Sequence, residues 1–334
     1  MSEKTIPELL QNRVKEHGTK LLFQRRDGWS WKQITWLDFD RKVKNIAAFL
    51  HSMGFGLGDR ALIVSSNRLE AISSEIAIFH LGGVIVPLAA NESAEGIKEA
   101  AGESHAKLIF LEQQDPTGGV LRSLDKMPGL DRIIVFPDVK VVNESVIDFK
   151  AVLKFGLMKR KKLEDELIGI YKSLDAEIPA AQFVYSGTPV KVVTQGALIE
   201  ALHDVSLRCS GLGAEDQSFS FLTSASPFAK FINYLTIYRG SRAAVAESRK
   251  DFYQDLVEVM PTVIFETAGG LESLCRNSIS ELNGLSPEIK LRMDMGNRVR
   301  HILADSIPAG ELGGILGNAG ASVVEVPDFD AILG

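Results

Sequence analysis

Ile6, Leu9, Leu10 and Val14 recur at helical spacing, and Thr5-Ile6-Pro7-Glu8 has the S/T-x-x-E form of a capping box, so the chain opens with an expected helix. Leu21-Leu22-Phe23-Gln24 and Trp29-Ser30-Trp31 flank Arg26-Asp27-Gly28, which is a hairpin signal. Phe39, Val43, Ile46, Ala47 and Leu50 mark one face of a second helix from Thr35, with Asp38 in its first turn and Gly54 placed to stop it. From Arg60 the pattern changes to short continuous apolar runs at 61–64, 84–88, 107–111 and 133–136. The stretches between them, 68–80, 94–104 and 117–127, can be helical. Strands without polar alternation are buried on both faces, which predicts a mostly parallel sheet covered by helices. The second half repeats the style, with strands expected at 182–185, 191–193, 218–222, 243–246, 262–265, 300–304 and 322–326. Helices fit 197–209, 229–238, 251–260, 270–280 and 309–317. Asp175-Ala176-Glu177-Ile178-Pro179 interrupts the pattern, so one α/β subdomain is expected over 1–178 and a second over 179–334.

Composition narrows the function classes. At roughly 150 residues per domain, 334 residues allow two domains or subdomains with a sizeable core. Lys plus Arg number 37 against 43 Asp plus Glu, a net charge of −6, which argues against nucleic acid as the main partner. Cys209 and Cys275 give no CxxC and no disulfide framework, and both fall in amphipathic helices as small core residues. With no apolar leader and no run approaching about 18 apolar residues, the expected protein is cytoplasmic, without an integral membrane segment. The histidines at 17, 51, 80, 105, 203 and 301 show no HExxH and no paired spacing with cysteine, so no metal site is expected. The one charge run, Lys159-Arg160-Lys161-Lys162 before Glu164-Asp165-Glu166, reads as a solvated helix in preference to a lipid or phosphate patch.

Three stretches carry a resemblance: TIPELLQNRVKEHG, WSWKQITWLDFDRKVKNIAAFLHSMGFGLGDRALIVSSN and AIFHLGGVIVPLAANESAEGIKEAAGESHAKLIF. SFSFLTSASPFAKFINYLTIYRGSRAAVAES and LVEVMPTVIFETAGGLESL continue it in order. Together they resemble AMP-forming acyl-CoA synthetases of the adenylate-forming superfamily, nearest the fatty-acyl branch. The resemblance implies an α/β fold: a large domain of two α/β subdomains with mostly parallel sheets sandwiched by helices. The family's C-terminal lid domain, with its catalytic lysine, has no counterpart before Gly334 and is expected to be absent. Members join a carboxylate to ATP as an acyl-adenylate and then pass the acyl group to coenzyme A. That chemistry uses a hydroxyl-rich phosphate loop, Mg²⁺ held by a carboxylate, and a backbone shelf for adenine.

The motifs match only in part. Where relatives read approximately Y-T-S-G-T-T-G-x-P-K-G, this chain has Tyr185-Ser186-Gly187-Thr188-Pro189-Val190-Lys191, a shorter loop without the second Thr-Gly pair. Pro189 offers no N–H. Thr223-Ser224-Ala225-Ser226-Pro227-Phe228 stands at the "P-L-x-H-x-F" turn, with Ser226 or its neighbour in place of the histidine and Phe228 kept. Arg300-His301-Ile302-Leu303-Ala304-Asp305-Ser306-Ile307-Pro308 stands at the adenine strand and turn, without the glycine that admits the adenine plane. Val326-Pro327-Asp328-Phe329-Asp330 replaces "Y-G-x-T-E", leaving Asp328 and Asp330 as metal-ligand mimics or exposed carboxylates. The resemblance therefore implies a remnant ATP or acyl-adenylate site at Tyr185, Ser186, Gly187, Thr188, Lys191, Ser226, Phe228, Ser306, Asp328 and Asp330. It assigns no catalytic residue and no bound metal.

Two functions follow. The favoured one is a degenerate synthetase-like protein of fatty acid metabolism, without full ligase activity, that binds an acyl ligand, acyl-AMP or a nucleotide remnant. Its partner would be an active synthetase or a second copy of itself. The alternative is an active or half-active acid–thiol ligase that uses ATP and Mg²⁺ and receives its lid from another chain.

Overall fold

The computed structural model describes residues 3–326 apart from 113, 123–126, 128, 138, 141–142, 185–189, 210–211, 221–226 and 247–251. At 114–117 and 227–231 it describes the backbone only. Helix α1 (Ile6–His17) and the hairpin of β1 (Leu21–Asp27) and β2 (Ser30–Thr35) lead into α2 (Trp36–Ser52). There follow β3 (Arg60–Val64), α3 (Leu69–His80), β4 (Val84–Leu88), α4 (Ala94–Ser104), β5 (Leu108–Leu111), α5 (Gln114–Leu121), β6 (Arg132–Val135) and β7 (Val146–Asp148). Next come α6 (Phe149–Ser173), β8 (Pro179–Phe183), β9 (Lys191–Thr194), α7 (Gln195–Arg208), β10 (Gln217–Ser220), α8 (Pro227–Arg239) and β11 (Arg242–Val245). The described chain closes with α9 (Phe252–Val259), β12 (Val263–Glu266), α10 (Ala268–Ser280), α11 (Pro287–Asp294), β13 (His301–Ala304), α12 (Glu311–Asn318) and β14 (Ser322–Glu325).

Contacts divide the chain into two units, one of 1–19, 36–200 and 223–226 and the other of 20–35, 201–222 and 227–334. The first holds a sheet in the order β7-β6-β5-β3-β4-β8-β9. All its strands run parallel except β9, which pairs antiparallel with β8 at the edge. The sequence reading set its boundary after residue 178, and both β8 and β9 pair into this first sheet. Leu62, Val64, Val86, Ile109, Leu111, Ile133 and Val135 point to one face, where Ile97, Ala100 and Ala101 of α4 complete the core. The alternate residues Ala61, Ile63, Ile85, Leu108, Phe110 and Ile134 are buried as well. Burial on both faces is why these strands read as unbroken apolar runs.

The Thr5 cap expected from the sequence is present, and other side chains cap further helices of this unit. The Thr5 hydroxyl accepts the Glu8 N–H at 3.3 Å, and the buried Gln195 side chain accepts the Ile6 N–H at 3.0 Å. Ser93 caps α4 and Asp148 caps α6. Helix α6 is far longer than the charge run alone suggested, and it packs along α2. The approach is closest at Gly156, where an added Cβ would stand 1.9 Å from the Asn45 carbonyl oxygen. Gly156→Ala is therefore expected to destabilise the protein by about 2 kcal/mol, as overpacking does. Thermal unfolding at the native Tm would refute that contact.

The second unit holds a sheet in the order β14-β13-β12-β10-β11-β1-β2, parallel except for the edge strand β2. The early hairpin thus belongs to this sheet, with β1 alongside β11. Arg26 ties it to α9 through Asp255 and through Glu258 at 2.8 Å, and its guanidinium covers Trp31 at 4.8 Å. Phe219, Ile264, Leu271, Leu274, Cys275, Leu291, Ile302 and Leu316 form the core on one face. Helix α11 has no counterpart in the sequence reading. Its signal was Ser286-Pro287, an N-cap followed by proline at the first helical position. The helix expected over 117–127 instead runs Gln114–Leu121.

Candidate functional site

In open α/β sheets ligands bind beyond the carboxyl ends of the parallel strands. In the first unit, β8 runs parallel to β4, so the connection 184–190 leaves that edge before β9 returns. Tyr185, Ser186, Gly187 and Thr188 fall in this connection, outside the described residues. Lys191 opens β9, half-buried, with Phe183 as its cross-strand partner.

The same edge holds a charged network that the sequence reading missed. Glu112, after β5, accepts the Ser65 hydroxyl at 2.7 Å, the Ser66 N–H at 2.6 Å and the Ser66 hydroxyl at 2.8 Å. Arg68 donates to Glu70 at 3.1 Å, stands 3.9 Å from Glu112 and covers the Phe136 ring at 5.3 Å. Arg68 and Glu70 are both buried. Burial alone would raise the Glu70 carboxyl, but the positive charges of Lys42 and Arg68 outweigh it and hold the group below its ordinary value. The available signal was the polar run Ser65-Ser66-Asn67-Arg68-Leu69-Glu70 directly after an apolar strand.

Beside Val184, where the loop begins, lies a cavity of about 300 Å³. Glu92, Glu95, Glu99 and Glu103 line it, together with Leu88. The last three recur at four-residue spacing along α4 and so share a face. A polyphosphate entering here would meet like charge, which opposes binding.

In the second unit, β10, β12, β13 and β14 run parallel side by side, and their carboxyl ends form the other edge to consider. Phe228 is the second residue of α8, reached from β10, and Ser306 follows β13. Both positions therefore derive from strands flanking β12 in one sheet. Ser226, Asp328 and Asp330 lie outside the described residues, as does the Phe228 side chain. Between these positions, β12 leads into α10. Thr267 caps that helix, its hydroxyl accepting the Gly270 N–H at 3.1 Å.

A helix N-terminus at this edge is a ready anion site, because its first N–H groups have no partner within the helix. Here a protein carboxylate has taken the first of those donors. Asp305 accepts the Ala268 N–H at 2.8 Å and the Ser306 N–H at 2.8 Å through one oxygen. Glu266, buried, accepts the Thr267 N–H at 2.9 Å, and a Cβ on Gly270 would strike its carboxyl group at 2.3 Å. Thr267 and Glu266 were not singled out from sequence, since only the fold brings residue 268 to residue 305.

The remaining candidates settle simply. Burial pushes the Cys209 and Cys275 thiols up to about 11, which suits inert core residues. His51 stands 2.9 Å from Glu166, and His203 3.0 Å from the Tyr238 hydroxyl. Among the described residues no group of three or more His, Cys, Asp or Glu is placed to hold a metal ion, and no helix is long and apolar enough to cross a membrane.

The chain is similar to known proteins in both sequence and fold. The family model described as AMP-binding enzyme matches residues 10–311. Long-chain-fatty-acid–CoA ligase FadD15 of Mycobacterium tuberculosis is 27% identical over 114 residues, 34% of this chain and 19% of that protein. Naringenin synthase of Pestalotiopsis fici is 33% identical over 115 residues, 34% of this chain and 4% of its own length. Each match therefore takes in a small part of the curated relative's length. Among solved structures, the N-terminal domain of FACL13 from Mycobacterium tuberculosis has a TM-score of 0.73 at 14% identity, covering 97% of this chain and 75% of that one. Coronafacic acid ligase from Pectobacterium brasiliense has a TM-score of 0.73 at 17% identity, covering 96% of this chain and 59% of that one. At these identities the structural likeness is one of fold.

Proposed function

The chain belongs to the AMP-binding enzyme family, and from that premise we propose that it is an acyl-CoA ligase-like domain that keeps the binding scaffold without full ligase activity. The observation that carries this reading is the N-terminus of α10, where Asp305 takes the Ala268 and Ser306 N–H groups. Asp305 stands where the resemblance puts the adenine shelf, so a nucleotide there would meet a carboxylate already holding two backbone donors. Members of the family use ATP and Mg²⁺ generally. At the N-terminus of α10 the described groups do not fit the nucleotide anion, because Asp305 and Glu266 hold backbone N–H groups there and add negative charge. The acidic cavity beside Val184 supports the same reading from the first unit.

The protein on this reading binds an acyl chain or acyl-adenylate in the cytoplasm, within fatty acid metabolism. It serves a partner: an active synthetase or a second copy. The competing reading, an adenylating enzyme with a lid from another chain, draws on Lys191, kept at the first position of β9. Carboxylate-dependent pyrophosphate exchange is expected at background. Calorimetric titration should show AMP binding about tenfold tighter in Asp305→Gly, since the Ala268 N–H is released and a negative charge removed. Exchange above background that vanishes in Lys191→Ala would establish the competing reading. Unchanged AMP affinity in Asp305→Gly would remove the α10 argument.

A further inference from the structure

We propose that the outward face of the first half of α6 docks onto membranes rich in anionic lipid. This is independent of what the nucleotide site does. From Lys150 to Lys162 the helix carries six cations, at 150, 154, 159, 160, 161 and 162, and no acid. Lys159, Lys161 and Lys162 are exposed, as the solvated-helix reading expects, but exposed apolar side chains precede them on the same helix. Met158 is 66% exposed, Leu157 56% and Phe155 46%.

The packing of α6 fixes which side these residues occupy. Val152 and Gly156 are buried, Gly156 against the backbone of α2. At about 100° per residue, Lys154, Phe155, Met158, Lys161 and Lys162 then fall around the opposite side. The result is a patch about 12 Å long in which Phe155 and Met158 lie between Lys154 and the Lys161-Lys162 pair. Acids return only at Glu164, Asp165 and Glu166, where the patch ends. Lysine stems can lie along a membrane surface with their ammonium groups at the phosphates, while Phe, Leu and Met enter the headgroup boundary. The face is the convex side of a single helix, with its cations spread along it. That suits a broad anionic surface better than an acidic peptide, which needs a groove to order it.

Vesicle co-sedimentation of the full chain tests this, using phosphatidylcholine with and without phosphatidylglycerol at about 30 mol %. Binding to the anionic vesicles should exceed binding to phosphatidylcholine alone by at least about tenfold and should fall steeply with salt. Lys161→Glu with Lys162→Glu should reduce it by about tenfold or more. Phe155→Ser with Met158→Ser should reduce it several-fold while leaving the salt dependence in place. All four positions are exposed, and unchanged far-UV circular dichroism would confirm that the variants fold. No binding to anionic vesicles, equal binding to both compositions, or binding unaffected by either double substitution would overturn the proposal. Capture of polyglutamate without binding to vesicles would overturn it too, in favour of an acidic protein partner.

Discussion

Arg68→Met is expected to lower the unfolding free energy by about 3–5 kcal/mol, the cost of leaving a buried charge without its partner. Arg68 and Glu70 are both buried, and Glu112 stands close by with its own hydrogen bonds from Ser65 and Ser66. Methionine fills most of the arginine volume, so the loss reports charge and hydrogen bonding more than packing. Urea unfolding measures it, and Glu70→Gln on the same background should recover part of the loss. The pH dependence has a definite sign. The Glu70 carboxyl is held below its ordinary value of 4.5, so its contribution is present above that pH and is lost as pH falls through the folded value. The gap between native and variant should therefore narrow in acid. A gap that stays constant from neutral pH into strong acid would exclude the charge explanation.

Acidification from pH 6.5 to about 4 is expected to cost about 3 kcal/mol of stability through His80 alone. His80 ends α3, fully buried, with its ring 4.7 Å from that of Tyr171 and no hydrogen-bond partner on Nδ1. Burial pushes its pKa from 6.5 down to about 4, with Asp40 pulling upward and Lys44 downward by less. Below pH 6.5 the unfolded imidazole gains a proton that the folded one refuses until about 4. The unfolded state thus binds more protons, and stability falls as pH falls across that interval. His80→Phe keeps a ring in the site and should flatten the dependence, as read from urea midpoints at neutral and acid pH. An equally steep loss in His80→Phe would place the titration in another group.

The strands were legible because β3, β4, β5 and β6 are buried on both faces and therefore read as unbroken apolar runs. Helices α1 and α2 were legible through their stripes, with the Thr5 cap at the start of α1, and α4 through its place between two apolar runs. Helix α6 was seen only as a charge run, because just Phe149, Val152, Gly156 and Leu167 along its length are buried, too few to set a period. Helix α11 buries only Leu291 and gave no apolar pattern at all. The site was legible as linear motifs, which placed Lys191 and Ser306 at strand boundaries. It was not legible as chemistry. That Asp305 occupies the N-terminus of α10 depends on β12 and β13 lying side by side, which no local pattern states.

The position of β9 has a further consequence, for how such a chain can change over time. It is an edge strand, bonded among the described residues to β8 alone, so the chain between β8 and β9 starts and ends at the margin of the sheet. Residues can be added or removed there without shifting the register of β3, β4, β5 or β6. Constraints from folding and constraints on that loop can therefore act on separate parts of the sequence. A lineage could shorten that loop step by step at almost no cost in stability, and an insertion restoring its length would meet equally little resistance.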